Sequence, residues 1–143
     1  MKRVDCTSCE NTFCLFKDSC SSKWRNKSRY KSGQHIFVEG MPVKGLYIVQ
    51  KGEVKEYYHE KNVREKTNHT AKDGEIFGHK DYSGTKHLFS AIAIEDTQIC
   101  CFSKNTLYEV CLNNSKLSND LMDFFSDELI KSVDRRKIYS DKL

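Results

Sequence analysis

The runs His35-Ile36-Phe37-Val38 and Leu46-Tyr47-Ile48-Val49 each end at a charged residue followed by glycine, at Glu39-Gly40 and Lys51-Gly52. Short apolar runs rich in β-branched and aromatic residues, bounded by turn residues, are typical of strands. Four more segments have the same character: residues 54–58, 74–78, 88–94 and 98–102. Short strands separated by turns predict a mainly β protein, an antiparallel sandwich or barrel.

The chain changes to helical spacing after this β region. Either Ser103 or Asn105 can cap a short helix that runs to Cys111, and Asn113-Asn114 interrupts it. A longer helix is predicted to begin near Ser115. Its apolar residues recur at helical spacing and form a stripe wider than one sheet face needs: Leu117, Leu121, Met122, Phe124, Phe125, Leu129, Ile130 and Val133. We therefore expect this helix to pack on the sheet and also to form a homodimer.

Composition limits the class of protein. The chain has 143 residues, of which 38% are hydrophobic and 31% charged, as in one globular domain. The formal net charge of +4 is small, so a dedicated nucleic-acid binder is not indicated. No apolar run approaches the ~18 residues of a membrane span, and no secretory signal is evident. These features predict a cytoplasmic protein without a membrane partner.

Three zones follow from this pattern. Residues 1–27 form a cysteine-rich segment, residues 28–112 the β domain, and residues 113–143 the C-terminal dimerisation helix. The chain stops shortly after this helix, and we expect no helix-turn-helix in it. Contact with DNA would then require a helix-turn-helix supplied elsewhere.

The spacing Ile36-x3-Gly40-x5-Leu46-Tyr47-Ile48-Val49-x2-Gly52 resembles the first hairpin of the sensory domain in the cyclic-AMP receptor protein/FNR (CRP/FNR) family of bacterial transcription regulators. A second match is Gly74-Glu75-Ile76-Phe77-Gly78, followed by residues 90–96. The resemblance covers about residues 28–138. It implies a double-stranded β-helix, or jelly roll, here called the β-roll, followed by a long dimerisation helix. It also implies a signal-sensing domain of a regulator.

The cassette that holds cyclic AMP in such proteins is altered in this chain. The resemblance implies a glutamate after Gly78 for the ribose and an arginine before Ser90 for the phosphate, but His79 and Phe89 stand there. A buried phosphate without a matched cation is costly, so ordinary cyclic-AMP binding is not expected. A small-molecule module with another ligand is an alternative function. The residues expected to line its pocket are Gly74, Glu75, Phe77, Gly78, His79, Lys86, His87, Phe89, Ser90 and Ala91.

The cysteine pattern is the other chemical signal. Cys6-x2-Cys9-x4-Cys14 resembles the N-terminal cysteine trio of the FNR branch, and Cys100 falls where that branch supplies its fourth ligand. The resemblance implies a [4Fe–4S] cluster on these four residues, which senses oxygen or redox state. Zinc bound by the N-terminal cysteines, with Cys20 as the fourth ligand, is an alternative that would make the segment structural. A third alternative is no metal, with Cys100 a small buried hydrophobe.

No feature of the sequence indicates an enzyme. The five histidines include no His-x-His pair, and neither a nucleophile elbow nor a phosphate loop is present. We therefore expect a non-catalytic sensor, with a protein that only dimerises as the simplest alternative.

Overall fold

The structure is a computed structural model that describes residues 26–61 and 64–141, with side chains described for residues 27–133 within these ranges. The elements in chain order are β1 (Asn26–Tyr30), β2 (His35–Phe37), β3 (Gly45–Lys51), β4 (Glu53–Glu60), β5 (Arg64–Lys72), β6 (Ile76–Phe77), β7 (Ser90–Ala93), β8 (Thr97–Ser103), α1 (Lys104–Asn113) and α2 (Ser115–Asp141).

The eight strands form two four-stranded antiparallel sheets. Sheet A has the order β1-β8-β3-β6, and sheet B has the order β2-β7-β4-β5. This arrangement and the C-terminal helices confirm the predicted jelly roll. All six predicted strand segments are present, although the segment 88–94 becomes a strand only at Ser90.

Strands β1 and β5 were not predicted, and β5 has a clear physical reason. It is an edge strand that pairs only with β4, and most of its side chains are exposed or half-buried. Ala71 is the single buried side chain in Arg64–Lys72. Such a polar strand carries no alternating apolar pattern for a sequence reading to detect.

Strand β3 is buried on both faces, because two separate cores meet there. Tyr47 and Val49 face the interior of the β-roll, whereas Leu46 and Ile48 face the helices. The roll interior also contains Phe37, Val54, Ala71, Phe77, Ala91 and Ile99. The outer core lies between sheet A and the helices and also contains Ile76, Cys100, Phe102, Leu107, Val110, Leu117 and Leu121.

Both helices begin at side-chain caps. The Thr106 N–H donates to Ser103 Oγ at 3.2 Å, so Ser103 rather than Asn105 caps α1. The Leu117 N–H donates to Asn114 Oδ1 at 3.0 Å at the start of α2. Helix α2 therefore begins at Ser115, as predicted.

The apolar stripe of α2 is buried only over its first turns. Leu117 and Leu121 lie in the outer core, but Met122, Leu129 and Val133 are exposed. The helix thus continues beyond the sheet with an apolar face toward solvent. Its role in a homodimer stays a prediction.

Gly45 is a position where the fold leaves no room for a side chain. An added Cβ would lie 1.8 Å from the Phe102 carbonyl oxygen, a backbone atom of the paired strand β8. At Gly84 the nearest atom would be 3.3 Å away, a contact that a small shift relieves. The close approach of β3 and β8 therefore depends on glycine at residue 45.

We expect Gly45→Ala to destabilise the protein by roughly 3 kcal/mol or more, because one of the two central strands of sheet A must move. The melting temperature should fall by about 10 °C. Gly84→Ala is the matched control and should change it by only a few degrees. Equal melting temperatures for the two variants would contradict the assignment of Gly45 as a packing constraint.

Candidate functional site

The segment 78–89 connects β6 to β7 through short turns and holds half of the residues predicted to line the pocket. Gly78 begins it with a φ of +74°, and a Cβ there would lie 2.8 Å from the Tyr47 ring. Its N–H donates to Glu56 Oε1 at 2.9 Å, which ties the segment to β4. Glycine is therefore required both for the backbone conformation and for the close contact.

His87 is packed into the protein rather than lining an open pocket. It is 1% exposed, and its ring stacks on Phe37 with centroids 3.7 Å apart. Its Nδ1 lies 3.0 Å from Asp81 Oδ2, which also accepts the Leu88 N–H at 2.8 Å. The buried Asp81 carboxylate thus links the first part of the segment to its last part.

The other predicted pocket residues are distributed over several environments. Phe77 and Ala91 are fully buried in the roll interior, whereas Lys86 is exposed beside Pro42. Phe89 lies edge-on to Tyr58, with centroids 5.9 Å apart, in the position where the resemblance implies an arginine.

Three further residues of the predicted pocket make contacts with the backbone. The Gly74 N–H donates to the Val49 carbonyl at 2.7 Å, and Glu75 Oε1 accepts the Lys72 N–H at 3.4 Å. Ser90 Oγ accepts the Glu39 N–H at 2.9 Å. These contacts stabilise turns and strand ends.

His79 connects the segment 78–89, here called the cassette segment, with α2. It is 3% exposed and lies edge-on to His69 and to Phe124, with centroid distances of 5.6 and 5.0 Å. Its Nε2 lies 3.4 Å from Glu128 Oε2. Burial lowers the pKa of His79 to about 4, against the opposing effect of the Glu128 carboxylate. The ring is therefore neutral at pH 7.

Glu56 is a buried carboxyl group that the sequence analysis did not identify. It is 1% exposed, and burial raises its pKa to about 7, although the Gly78 N–H opposes this. Nearby Asp81 raises it further. Its position in the sequence could have identified it. Glu56 follows buried Val54 by two residues, so both side chains lie on the face of β4 that points to the roll interior.

The two adjacent cysteines of β8 face opposite sides of sheet A. Cys100 belongs to the outer core beneath the helices and is 3% exposed. Cys101 packs against the roll interior beside Tyr47, and burial raises its thiol pKa to about 11. The two thiols therefore lie in different cores, as expected for adjacent residues of a strand.

Within 26–61 and 64–141, no three His, Cys, Asp or Glu side chains are grouped so as to hold a metal ion. Cys6, Cys9, Cys14 and Cys20 lie outside the described residues, so the predicted cluster remains a prediction. In the same part of the chain, no helix is both long and apolar enough to cross a bilayer.

The buried Glu56 carboxyl predicts a pH-dependent stability. Its pKa is raised in the folded protein, so its stabilising contribution is complete below its unfolded value and is lost as the pH rises through about 7. Glu56→Gln keeps an acceptor for the Gly78 N–H but cannot ionise. We expect the melting temperature of this variant, relative to wild type, to be higher at pH 8 than at pH 5. A constant difference between these pH values would contradict the raised pKa.

Comparison with known proteins gives a family and several similar folds. A model of the cyclic nucleotide-binding domain matches residues 27–114. "Electron transport regulator A" of Shewanella oneidensis is 25% identical over 116 residues, which are 81% of this chain and 46% of that protein. The chain therefore spans about half the length of this curated relative.

Three solved structures share the fold. The catabolite activator protein of Thermus thermophilus has a TM-score of 0.77 at 20% identity, over 88% of this chain and 62% of that one. The sensor domain of the transcriptional regulator DNR from Pseudomonas aeruginosa has a TM-score of 0.69 at 20% identity, over 84% of this chain and 85% of that one. FixK2 from Bradyrhizobium japonicum has a TM-score of 0.64 at 24% identity, over 73% of this chain and 52% of that one. The family model matches more than half of the chain, and this match establishes that the chain belongs to the cyclic nucleotide-binding domain family, whose fold the three solved structures share.

Proposed function

We propose that this chain is the signal-sensing part of a CRP/FNR-type transcription regulator and that its signal is oxygen or redox state. Cys6, Cys9, Cys14 and Cys100 would hold an iron–sulfur cluster. The observation that carries the proposal is the register of β1 on β8. Lys27 pairs with Cys100, and Asn26 pairs with Cys101.

This register supports the proposal through chain connectivity. The cysteine-rich segment joins the β-roll at Asn26, directly beside the two cysteines of β8. Cys20 precedes Asn26 by six residues, which span at most about 20 Å when extended, and Cys14 by twelve, at most about 40 Å. The N-terminal cysteines are thus tethered within reach of Cys100.

Of the two cysteines on β8, Cys100 is the better ligand for such a cluster. Its neighbours in the outer core are apolar, and an apolar shell restricts the access of water to a metal site. Lys27 lies directly across the strand pair on the same face and can stabilise negative charge on sulfur. Cys101 instead lies beside Tyr47, and its high pKa keeps the thiol protonated. The donor chemistry therefore fits at Cys100.

A bound [4Fe–4S] cluster would supply the reactivity toward oxygen. The protein's own residues would transmit the change. Cys100 shares one close-packed core with Leu107 and Val110 of α1 and with Leu117 and Leu121 of α2. A displacement at Cys100 must shift these contacts, because packed cores do not deform continuously. The output would be the position of α2, whose exposed apolar face would form the homodimer.

The first measurement is the iron, sulfide and zinc content of the full chain purified without oxygen. We expect about four irons and four sulfides per chain, lost on exposure to air. Cys100→Ser should reduce the iron content strongly, because it removes one of four ligands. Cys101→Ser, the adjacent matched control, should retain it.

The other outcomes of this measurement contradict the redox proposal. About one zinc per chain, unaffected by Cys100→Ser, would assign the N-terminal segment a structural role with Cys20 as the fourth ligand. No metal in either protein would make Cys100 a packing residue of the outer core.

We also expect cyclic AMP to leave the melting temperature unchanged at millimolar concentration. Phe89 packs on Tyr58 where a phosphate would require a buried guanidinium, and His79 is neutral. Thermal unfolding with and without cyclic AMP tests this, with 5′-AMP as the control nucleotide. A saturable stabilisation specific to cyclic AMP would overturn it, since ligands that bind the folded state raise its stability.

A further inference from the structure

A buried cluster of titratable side chains inside the roll has no part in the redox proposal. It consists of Glu56 on β4 and of Asp81 and His87 in the cassette segment, and all three are buried. Carboxyl groups are rarely buried completely unless they are paired with a cation. The packing at this place therefore depends on how many protons the cluster holds.

The two carboxyl groups hold the cassette segment in place. Glu56 Oε1 accepts the Gly78 N–H at 2.9 Å, which links the start of the segment to β4. Asp81 Oδ2 accepts the Leu88 N–H at 2.8 Å and lies 3.0 Å from His87 Nδ1, which links the first part of the segment to its last part. Opening of the segment at Gly78 would bring the Glu56 carboxyl into contact with water.

The cluster contains two carboxyl groups but a single group that can become a cation. Among residues 26–61 and 64–141, the one ion pair that includes a member of the cluster joins His87 to Asp81. An ionised Glu56 would therefore add an uncompensated negative charge to the interior, which is costly. While the segment is in place, Glu56 is held in its protonated form.

The other titratable groups near Glu56 do not supply the missing positive charge. Lys80 favours ionisation, but its side chain is exposed. His69, which is paired with Glu56 across β5, and His79 are neutral at pH 7, because burial lowers the pKa of each. Glu128 of α2 is an acid and opposes the ionisation of Glu56.

We propose that Glu56 and the Asp81–His87 pair form a pH-sensitive latch on the cassette segment, which the loss of one proton from Glu56 releases. The segment is closed while Glu56 is protonated, and it opens more readily once the carboxylate can be hydrated. Burial raises the pKa of Glu56 to about 7, so the proton is lost near neutral pH. The latch does not rest on the iron–sulfur proposal, because no cysteine belongs to it.

The cassette segment connects the latch to α2. His79 follows Gly78 directly and lies edge-on to Phe124, with ring centroids 5.0 Å apart. Its Nε2 also lies 3.4 Å from Glu128 Oε2. An opening at Gly78 would move His79 and thereby change the packing of α2 on the roll.

The direction of the pH dependence follows from the two positions of the segment. In the open position Glu56 is hydrated and has its ordinary acidity, so it releases its proton at a lower pH than in the closed position. Between these two pKa values, the equilibrium constant for opening rises by up to about tenfold per pH unit. Above about pH 7 the constant levels off, because Glu56 is then ionised in both positions.

Hydrogen exchange of residues 78–89 in the full chain tests the latch, with each rate corrected for the intrinsic pH dependence of exchange. We expect the protection of these amides to fall by at least about tenfold between pH 5 and pH 7.5. Glu56→Gln cannot ionise and should remove this pH dependence. Glu53→Gln is the matched control, since it removes a carboxylate from the same strand at a half-buried position beside Lys72, and it should behave as wild type does.

A second measurement uses the wild-type chain alone. The Gly78 amide resonance reports on the carboxyl group that accepts its hydrogen bond, and we expect it to titrate with a midpoint at about pH 7. A Gly78 resonance that does not change between pH 5 and pH 8 overturns the proposal. Constant protection of residues 78–89 over this range, or the same pH dependence in Glu56→Gln as in wild type, also overturns it.

Discussion

Strand β3 must be apolar on both faces, and the remainder of the structure depends on this constraint. Its side chains alternate between the roll interior, where Tyr47 and Val49 pack, and the core beneath the helices, where Leu46 and Ile48 pack. A half-buried antiparallel strand would alternate apolar with polar residues, but a strand between two cores reads as a continuous apolar run. The close approach of β8 at Gly45 follows from the same position. A movement of β8 would therefore change the packing of both cores.

The polar groups of the cassette segment replace the ligand contacts that the family resemblance implies. Asp81 Oδ2 accepts the Leu88 N–H and lies within hydrogen-bond distance of His87 Nδ1. Glu56 holds Gly78, and His79 extends to Glu128 on α2. The segment is thus held by internal hydrogen bonds and ring stacking where a cyclic nucleotide would supply phosphate and ribose oxygens.

The predictability of each part follows from how local its signal is. The apolar run of β3, the glycine turns and the apolar spacing of α2 are local patterns, and they predicted an antiparallel sandwich or barrel followed by helices. The jelly roll itself was implied by the family resemblance. Strand β5 was missed because its stability comes from pairing with β4 rather than from its own side chains. The Asp81–His87 pair was missed because tertiary packing alone brings those two residues together. Cys100 was identified by a resemblance, and its burial beneath the helices was fixed only by the strand register.

The polar edge of sheet B has a consequence for how the chain associates. Arg64, Glu65 and Lys66 lie exposed on β5, and Lys66 pairs with Glu60 across the hairpin at 2.9 Å. A long unpaired strand edge is a template for the growth of intermolecular sheets, and charged side chains along it oppose that growth. The hairpin thereby discourages fibril-like stacking of copies.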